Sequence, residues 1–204
     1  MKLYGRYLSP FVRRVGATMQ TAGIAYEHVP AAPFDEWDRV QKVNPVVRIP
    51  ALELDDGEVL IESAAILDYL DETLGAKALI PDSGKPRRDV MKLVATAVGA
   101  MEKAVGSAYE LRFHSKEKVE QSWVERCDNQ VLSALGALDA AAKAAGPDGW
   151  LYGDGMTQAD ISATVAFTFA SLARKELDVA AKAPNLAKLA ARLEATPAFK
   201  ATHP

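Results

Sequence analysis

The sequence has few cysteines and histidines, the residues on which disulfides and most metal sites depend. Among its 204 residues is a single cysteine, Cys127, which excludes an intrachain disulfide and a cysteine-based zinc cluster. Its three histidines, His28, His114 and His203, lie far apart without ligand spacing, so we expect no metal site. Lys and Arg number 24 against 27 Asp and Glu, with no basic block, so nucleic acid is not an expected partner.

Long apolar runs are missing as well. No run approaches the ~20 residues that a membrane-spanning helix needs, so we expect no membrane partner. Arg6, Arg13 and Arg14 follow Met1 without an apolar signal core, so we expect a cytoplasmic protein. What the chain does have is 49% hydrophobic and 25% charged residues, a composition typical of a folded globular protein.

The pattern changes near residue 80. Before it, short strand-like and helix-like segments alternate. After it, the sequence is rich in alanine and helical in its spacing. Residues 80–86, which include Pro81, Gly84 and Pro86, form a turn-rich linker. We therefore expect two domains, at residues 1–80 and 86–204.

The first part has the element order β-α-β-α-β-β-α, which is that of a thioredoxin-like α/β fold. Turn chemistry at residues 55–57 joins two strands as a hairpin, and Ser63 suits the N-cap of the helix that follows. The predicted strands are Lys2–Tyr4, Tyr26–Val29, Ala51–Leu54 and Val59–Ile61, and the predicted helices are Pro10–Gly23, Asp35–Val43 and Ser63–Gly75.

The second part is predicted to be an all-α helical bundle. One helix continues to about Phe113, and a second long helix ends at the break of residues 146–149. Thr157 and Asp160 form a capping-box pattern that starts a third helix, and a last one follows Pro184. Arg13-Arg14 and Arg87-Arg88 are interpreted as exposed helix surface.

Three segments, taken in order, resemble the soluble glutathione S-transferases over almost the whole chain. They are Tyr4-Gly5 with Ser9–Val15, Asn44–Leu52 with Glu62–Ile66, and Trp150–Asp154 with Thr157–Ile161. The resemblance implies glutathione as co-substrate, no metal, and a homodimer. One dipeptide departs from it, because family members often have Gly-Lys where this chain has Val47-Arg48. The local backbone geometry and the affinity for glutathione are therefore open.

The resemblance gives Ser9 the catalytic role. A free thiol has a pKa near ~8.5, so little of it is ionised at neutral pH. A hydroxyl donor at a helix N-terminus stabilises a thiolate, and Ser9 precedes the first helix. Tyr7 is an alternative phenol donor. Because Cys127 is the only thiol and lies in the other part, thiol–disulfide exchange through the enzyme is disfavoured.

The resemblance also implies a glutathione-binding set. Ile49-Pro50 matches the family's cis-proline turn, whose backbone pairs with the cysteinyl part of glutathione. Glu62 pairs with its ammonium group, and Ser63 offers a carboxylate pocket. The remaining candidates are Arg48 and Lys42 for the glycyl carboxylate, and Tyr7, Tyr109, Arg112 and Phe113 for the second-substrate pocket.

The expected function is activation of the glutathione thiol for attack on an electrophilic small molecule. Two alternatives stay open. The chain could be a glutathione-dependent isomerase, dehalogenase or peroxidase, because the second-substrate pocket cannot be deduced from the sequence. It could also be a non-catalytic binding module with the same fold.

Overall fold

The structure is a computed structural model that describes residues 1–204, apart from the side chain of Ala76. The chain divides into two compact units. The first comprises Met1–Leu79 and Ala195–Pro204, and the second Ile80–Glu194. The sequence assigned all of 86–204 to the second domain, whereas the structure places the C-terminal segment with the first unit.

A buried arginine explains where the C-terminal segment lies. Arg13 is 1% exposed, and its Nε donates to the Thr202 carbonyl at 2.9 Å. The Arg13 guanidinium also lies 5.4 Å from the centroid of the Phe199 ring. Interpreting Arg13-Arg14 as exposed surface was wrong, because Arg14 is also buried, with 3% exposure.

The first unit contains a four-stranded sheet, whose strands are β1 Lys2–Tyr4, β2 Glu27–Val29, β3 Ala51–Glu53 and β4 Val59–Ile61. Their order in the sheet is β2-β1-β3-β4. β1 is parallel to β2 and antiparallel to β3, and β3 is antiparallel to β4. This is the predicted thioredoxin-like α/β fold. The helices are α1 Pro10–Ala22, α2 Trp37–Gln41, α3 Ser63–Leu74 and, from the C-terminal segment, α9 Pro197–Ala201.

One face of this sheet packs against α1 and α3. Leu3 and Leu52 lie opposite each other in the β1–β3 ladder and are fully buried. Each of the two helices turns one apolar face toward the sheet, because residues three or four apart lie on the same side of a helix. The core they form contains Val12, Val15, Met19, Ile66, Leu67 and Leu70.

The strand register decides which loops come together. Tyr4 pairs with Ala51, and Ala51 pairs with Ile61. The segment after β1, the segment before β3 and the segment after β4 therefore all lie at one edge of the sheet. That edge carries Ser9, Ile49-Pro50 and Glu62-Ser63.

The second unit is the predicted helical bundle. Its helices are α4 Gly84–Phe113, α5 Gln121–Ala145, α6 Gln158–Ala173, α7 Val179–Lys182 and α8 Pro184–Glu194. Short 3-10 turns lie at Gly75–Lys77, Lys116–Lys118 and Lys175–Leu177. Among the described residues, no helix is both long enough and apolar enough to cross a membrane.

The capping box that starts α6 is present as predicted. The Thr157 side chain accepts from the Ala159 N–H at 3.2 Å, and the Asp160 carboxylate accepts from the Thr157 N–H at 2.8 Å. Asp160 is fully buried and also accepts from the Leu151 N–H at 2.8 Å. Burial raises the pKa of Asp160, while these hydrogen bonds act in the opposite direction.

Candidate functional site

Ser9 precedes α1 with a hydroxyl that does not cap the helix. Its carbonyl accepts the first helical hydrogen bond, from the Arg13 N–H at 2.9 Å, but its side chain makes no capping bond. Within the described part of the chain no hydrogen bond uses this hydroxyl. Ser9 is partly exposed at the positive end of the α1 dipole. An unengaged donor at a helix N-terminus can hold an anion such as a thiolate.

Ile49 and Pro50 lie next to the loop that leads to Ser9. The Ile49–Pro50 peptide bond is cis, as the resemblance implies. Pro50 is buried, and β3 begins only at Ala51, so Ile49 lies outside the ladder. A Cβ added to Gly5, which has φ +132°, would lie 3.0 Å from the Ile49 Cβ. The Ser9 loop and the proline turn are therefore in close contact.

Glu62, Ser63 and Arg48 form one polar cluster at the same sheet edge. Glu62 Oε1 accepts from the Ser63 N–H at 2.8 Å and from its hydroxyl at 3.2 Å. Arg48 Nη1 lies 3.7 Å from Glu62 Oε2, with both side chains more than half exposed. Such an exposed pair contributes only about 0–1 kcal/mol, so both charges are available to a ligand.

The cap of α3 differs from the expectation. Ser63 was predicted as the N-cap, but it is the first helical residue, and Glu62 caps the helix with its carboxylate. Glu62 has φ +69°, a left-handed conformation that is uncommon for a residue with a side chain. Strained backbone of this kind is enriched at functional sites.

Arg14 is a buried charge near this cluster that the sequence analysis missed. Burial lowers the pKa of Arg14 to about 10, and the charge of Glu62 raises it in part. Its Nε has no hydrogen-bond partner in the described part of the chain. Its position between Val12 and Val15, both fully buried, was the available signal.

Lys42 and Tyr7 are not part of the polar cluster. Lys42 is exposed at the C-cap of α2 and makes no ion pair within the described chain. The Tyr7 hydroxyl lies 2.7 Å from the Tyr26 hydroxyl. Burial and this contact raise the pKa of Tyr7 far above that of an ordinary phenol. These contacts give Tyr7 a packing role, and its assignment as an alternative thiol donor and pocket residue stays a prediction.

The candidate second-substrate residues of α4 lie together in the second unit. The rings of Tyr109 and Phe113 meet edge to face with centroids 5.3 Å apart. The Arg112 guanidinium lies 5.5 Å from the Phe113 ring centroid. All three side chains are exposed. They form one aromatic and cationic surface at the end of α4.

Cys127, in contrast, has no chemical role that the structure supports. It is 1% exposed, and burial raises the pKa of its thiol. A buried thiol with a raised pKa is a poor nucleophile.

The second unit has a cavity between α5, residues 146–149 and α8. None of the candidate site residues lines this cavity.

Val47, where family members often have glycine, adopts the backbone conformation that favours glycine. Its φ is +54°, and its side chain is 6% exposed in a cluster with Ala31 and Val40. The Val47 N–H donates to the Asn44 carbonyl at 2.9 Å, and the Asn44 amide donates to the Arg48 carbonyl at 2.8 Å. These hydrogen bonds close the turn at residues 44–48, and the Val47 side chain packs in a small core.

This conformation predicts an inverted order of stability for two variants. Val47→Gly should be more stable than Val47→Ala by about 1 kcal/mol, because only alanine retains the cost of a left-handed backbone. Val40, 1% exposed in α2, is the control. There alanine should be more stable than glycine by about 1 kcal/mol. Urea unfolding of the four variants measures both differences, and the same order at both positions would contradict the strain.

Comparison with known proteins identifies the family of this chain. Residues 3–78 match the domain family described as "Glutathione S-transferase, N-terminal domain", and residues 121–192 match "Glutathione S-transferase, C-terminal domain". The maleylacetoacetate isomerase of Pseudomonas aeruginosa is 32% identical over 100% of this chain and 96% of its own length.

Solved structures give the same result. A glutathione transferase family member from Pseudomonas fluorescens Pf-5, with bound glutathione, is 30% identical with a TM-score of 0.87, covering 100% of this chain and 98% of its own. A glutathione S-transferase from Methylobacterium radiotolerans, in complex with glutathione sulfonate, is 28% identical with a TM-score of 0.91, covering 100% and 94%. The chain belongs to the glutathione S-transferase family.

Proposed function

We propose that this chain is a glutathione transferase in which the Ser9 hydroxyl stabilises the thiolate of bound glutathione. The observation that carries this proposal is the Ser9 hydroxyl, which lies at the N-terminus of α1 and makes no hydrogen bond to any of the described residues. A pKa lower by about two units requires about 2.7 kcal/mol of differential stabilisation of the thiolate. A hydroxyl donor and a helix dipole together are suited to that task.

The polar cluster fits the rest of the tripeptide. Glutathione has two carboxylates and one ammonium group besides its thiol. Glu62 supplies a negative charge for the ammonium, and Arg48 supplies a cation for the glycyl carboxylate. Ser63 and the first N–H groups of α3 are the carboxylate site that we propose. The Ser63 N–H and hydroxyl would exchange Glu62 Oε1 for a glutathione carboxylate, and the N–H groups that follow have no partners within the helix. Lys42 remains a second candidate cation for the glycyl end.

The backbone at Ile49 completes the binding site. Because Ile49 lies outside the β3 ladder, its peptide groups are available to pair with the cysteinyl backbone of glutathione, as in β-strand addition. Pro50 fixes the turn that presents them. This pairing places the sulfur toward Ser9, since both segments leave the same sheet edge.

We place the electrophile against the surface formed by Tyr109, Arg112 and Phe113. Two exposed aromatic rings offer a stacking surface, and the guanidinium suits an anionic or electron-poor substrate.

The chain's membership of the family supports a homodimer in the cytoplasm, with α4, α5 and the first unit forming the interface.

Isomerisation is the second candidate activity. The P. aeruginosa relative named maleylacetoacetate isomerase covers the whole chain, and the protein of that name from Rattus norvegicus is 25% identical over 99% of it. Both activities use the same thiolate. They differ in outcome, because conjugation consumes one thiol per product, whereas isomerisation returns glutathione unchanged.

A thiol balance separates the two activities. The protein is incubated with glutathione and either a generic aromatic halide or maleylacetoacetate, and free thiol and product are measured together. We expect conjugation of the halide with one thiol lost per product. Turnover of maleylacetoacetate without thiol loss would assign the isomerase activity. Retention on immobilised glutathione without turnover of either compound would contradict an enzyme. Reactions lacking protein provide the background.

A further inference from the structure

The loop that carries Ser9, residues 5–9 between β1 and α1, is hydrogen bonded to a histidine that the proposed chemistry does not use. His28 Nε2 lies 2.7 Å from the Gly5 carbonyl oxygen. A carbonyl can only accept, so Nε2 carries the proton and donates it. Gly5 also donates its own N–H to the Val29 carbonyl at 3.0 Å. The first residue of the loop is therefore hydrogen bonded on both of its polar groups to β2.

Tyr7 forms a second attachment of the same loop. Its ring stacks on the His28 imidazole, with centroids 4.0 Å apart and an interplanar angle of 15°. On α1, a Cβ added to Gly16 would lie 2.6 Å from Tyr7 Cε1, so the Tyr7 ring packs directly on that glycine. The Tyr7 hydroxyl is bound to Tyr26. The ring is thus fixed between β2 and α1.

These two attachments constrain Ser9. Residues 5 and 7 are fixed, and the Ser9 N–H donates to the Arg6 carbonyl at 3.0 Å, which closes the turn into α1. We propose that His28 is a positioning residue for Ser9: its hydrogen bond to the Gly5 carbonyl fixes the loop that sets where the Ser9 hydroxyl points. This inference rests on the proposed role of Ser9 in stabilising the thiolate.

A positioning role predicts which kinetic constant changes. Stabilisation of a thiolate depends on the distance and angle of the hydroxyl donor, and a misplacement of about 1 Å can reduce catalysis up to about 100-fold. Binding of glutathione should change less, because the Arg48–Glu62 pair that we assign to its charged groups involves neither His28 nor Gly5. Loss of the His28 donor should therefore lower kcat and leave KM for glutathione nearly unchanged.

Two substitutions separate the hydrogen bond from the stacked ring. His28→Phe keeps a flat ring against Tyr7 but cannot donate to Gly5. His28→Gln loses the ring but places an amide N–H near the position of Nε2. We expect His28→Phe to lower kcat about tenfold and to raise the pKa of the bound thiol toward the free value, while His28→Gln stays within about threefold of wild type. His28→Leu is a smaller donor-free variant with the same expectation, should His28→Phe not fold.

The measurements are steady-state conjugation and ultraviolet titration of the thiolate in the glutathione complex. His203→Phe, which makes the same change at an exposed histidine of the first unit, is the matched control and should behave as wild type. His28→Phe is also combined with Ser9→Ala. If His28 acts through Ser9, its substitution should have little further effect on kcat or thiol pKa once the hydroxyl is gone.

Three results would overturn the positioning role while leaving Ser9 in place: wild-type kcat and thiol pKa in both donor-free variants, equal losses in His28→Phe and His28→Gln, or a full tenfold loss added to Ser9→Ala. A different result identifies failure of the proposed function itself. If Ser9→Ala alone leaves the thiol pKa and kcat unchanged, Ser9 has no role for His28 to support, and both proposals are wrong.

Discussion

Replacing Ser9 with alanine is expected to lower kcat for conjugation by about 10²–10³-fold, the range found when one preorganised donor to a developing anion is removed. The Ser9 hydroxyl does not cap α1, and it makes no hydrogen bond within the part of the chain that the structure describes. The stability of the variant should therefore remain near that of wild type. KM for glutathione should change little, because Arg48, Glu62 and Ile49 remain.

The bound thiol gives a direct measurement of the same effect. In wild type its pKa should lie well below the ~8.5 of a free thiol, and in Ser9→Ala it should return toward that value. Ser133→Ala, which makes the same change at an exposed position of α5, should leave both the rate and the pKa unchanged. A wild-type rate and thiol pKa in Ser9→Ala would remove Ser9 from the catalytic role.

Replacing Asp160 with alanine is expected to destabilise the protein by about 2–4 kcal/mol. Loss of a helix cap alone costs about 0.5–2 kcal/mol. Asp160 is fully buried and its carboxylate also accepts from the Leu151 N–H. The alanine variant also leaves the N–H group of Leu151 buried without this acceptor, which costs about 1–3 kcal/mol more. Denaturant unfolding measures the loss.

Two further variants test that explanation of Asp160. Asp160→Asn keeps the shape and one acceptor oxygen, so its loss should be smaller than that of the alanine variant. Asp154→Ala removes an exposed carboxylate from the same segment and should change stability by less than about 0.5 kcal/mol. A denaturation midpoint unchanged by Asp160→Ala would contradict the buried cap.

The residues proposed for glutathione differ in how far the sequence could place them. Ser9, Ile49-Pro50 and Glu62-Ser63 were identified from short segments that resemble the family, and the strand register brings those segments to one sheet edge. The conformation of Val47 was open, because a single sequence does not say whether a valine will adopt a positive φ. The packing of Tyr7 on His28 could not be deduced, since it depends on how β2 pairs beside β1.

The helix caps also differ in whether the sequence alone could predict them. The α6 cap was predicted because Thr157 and Asp160 lie within one turn of the helix that they start. The start of α8 was predicted from Pro184, but its cap was not. Asp139, on α5, accepts from the Asn185 N–H at 2.6 Å and from the Leu186 N–H at 2.9 Å. A cap supplied by another helix leaves no local pattern in the sequence.

By itself, the sequence determined the element types, the change near residue 80 and the helix starts at Pro10 and Thr157, because propensity, capping and apolar spacing act over a few residues. Only the tertiary structure decided that Arg13 and Arg14 are buried, that the C-terminal segment packs on α1, and that Ser9 keeps an unengaged hydroxyl. These outcomes depend on contacts between residues far apart in the chain, and such contacts exist only once the fold has formed.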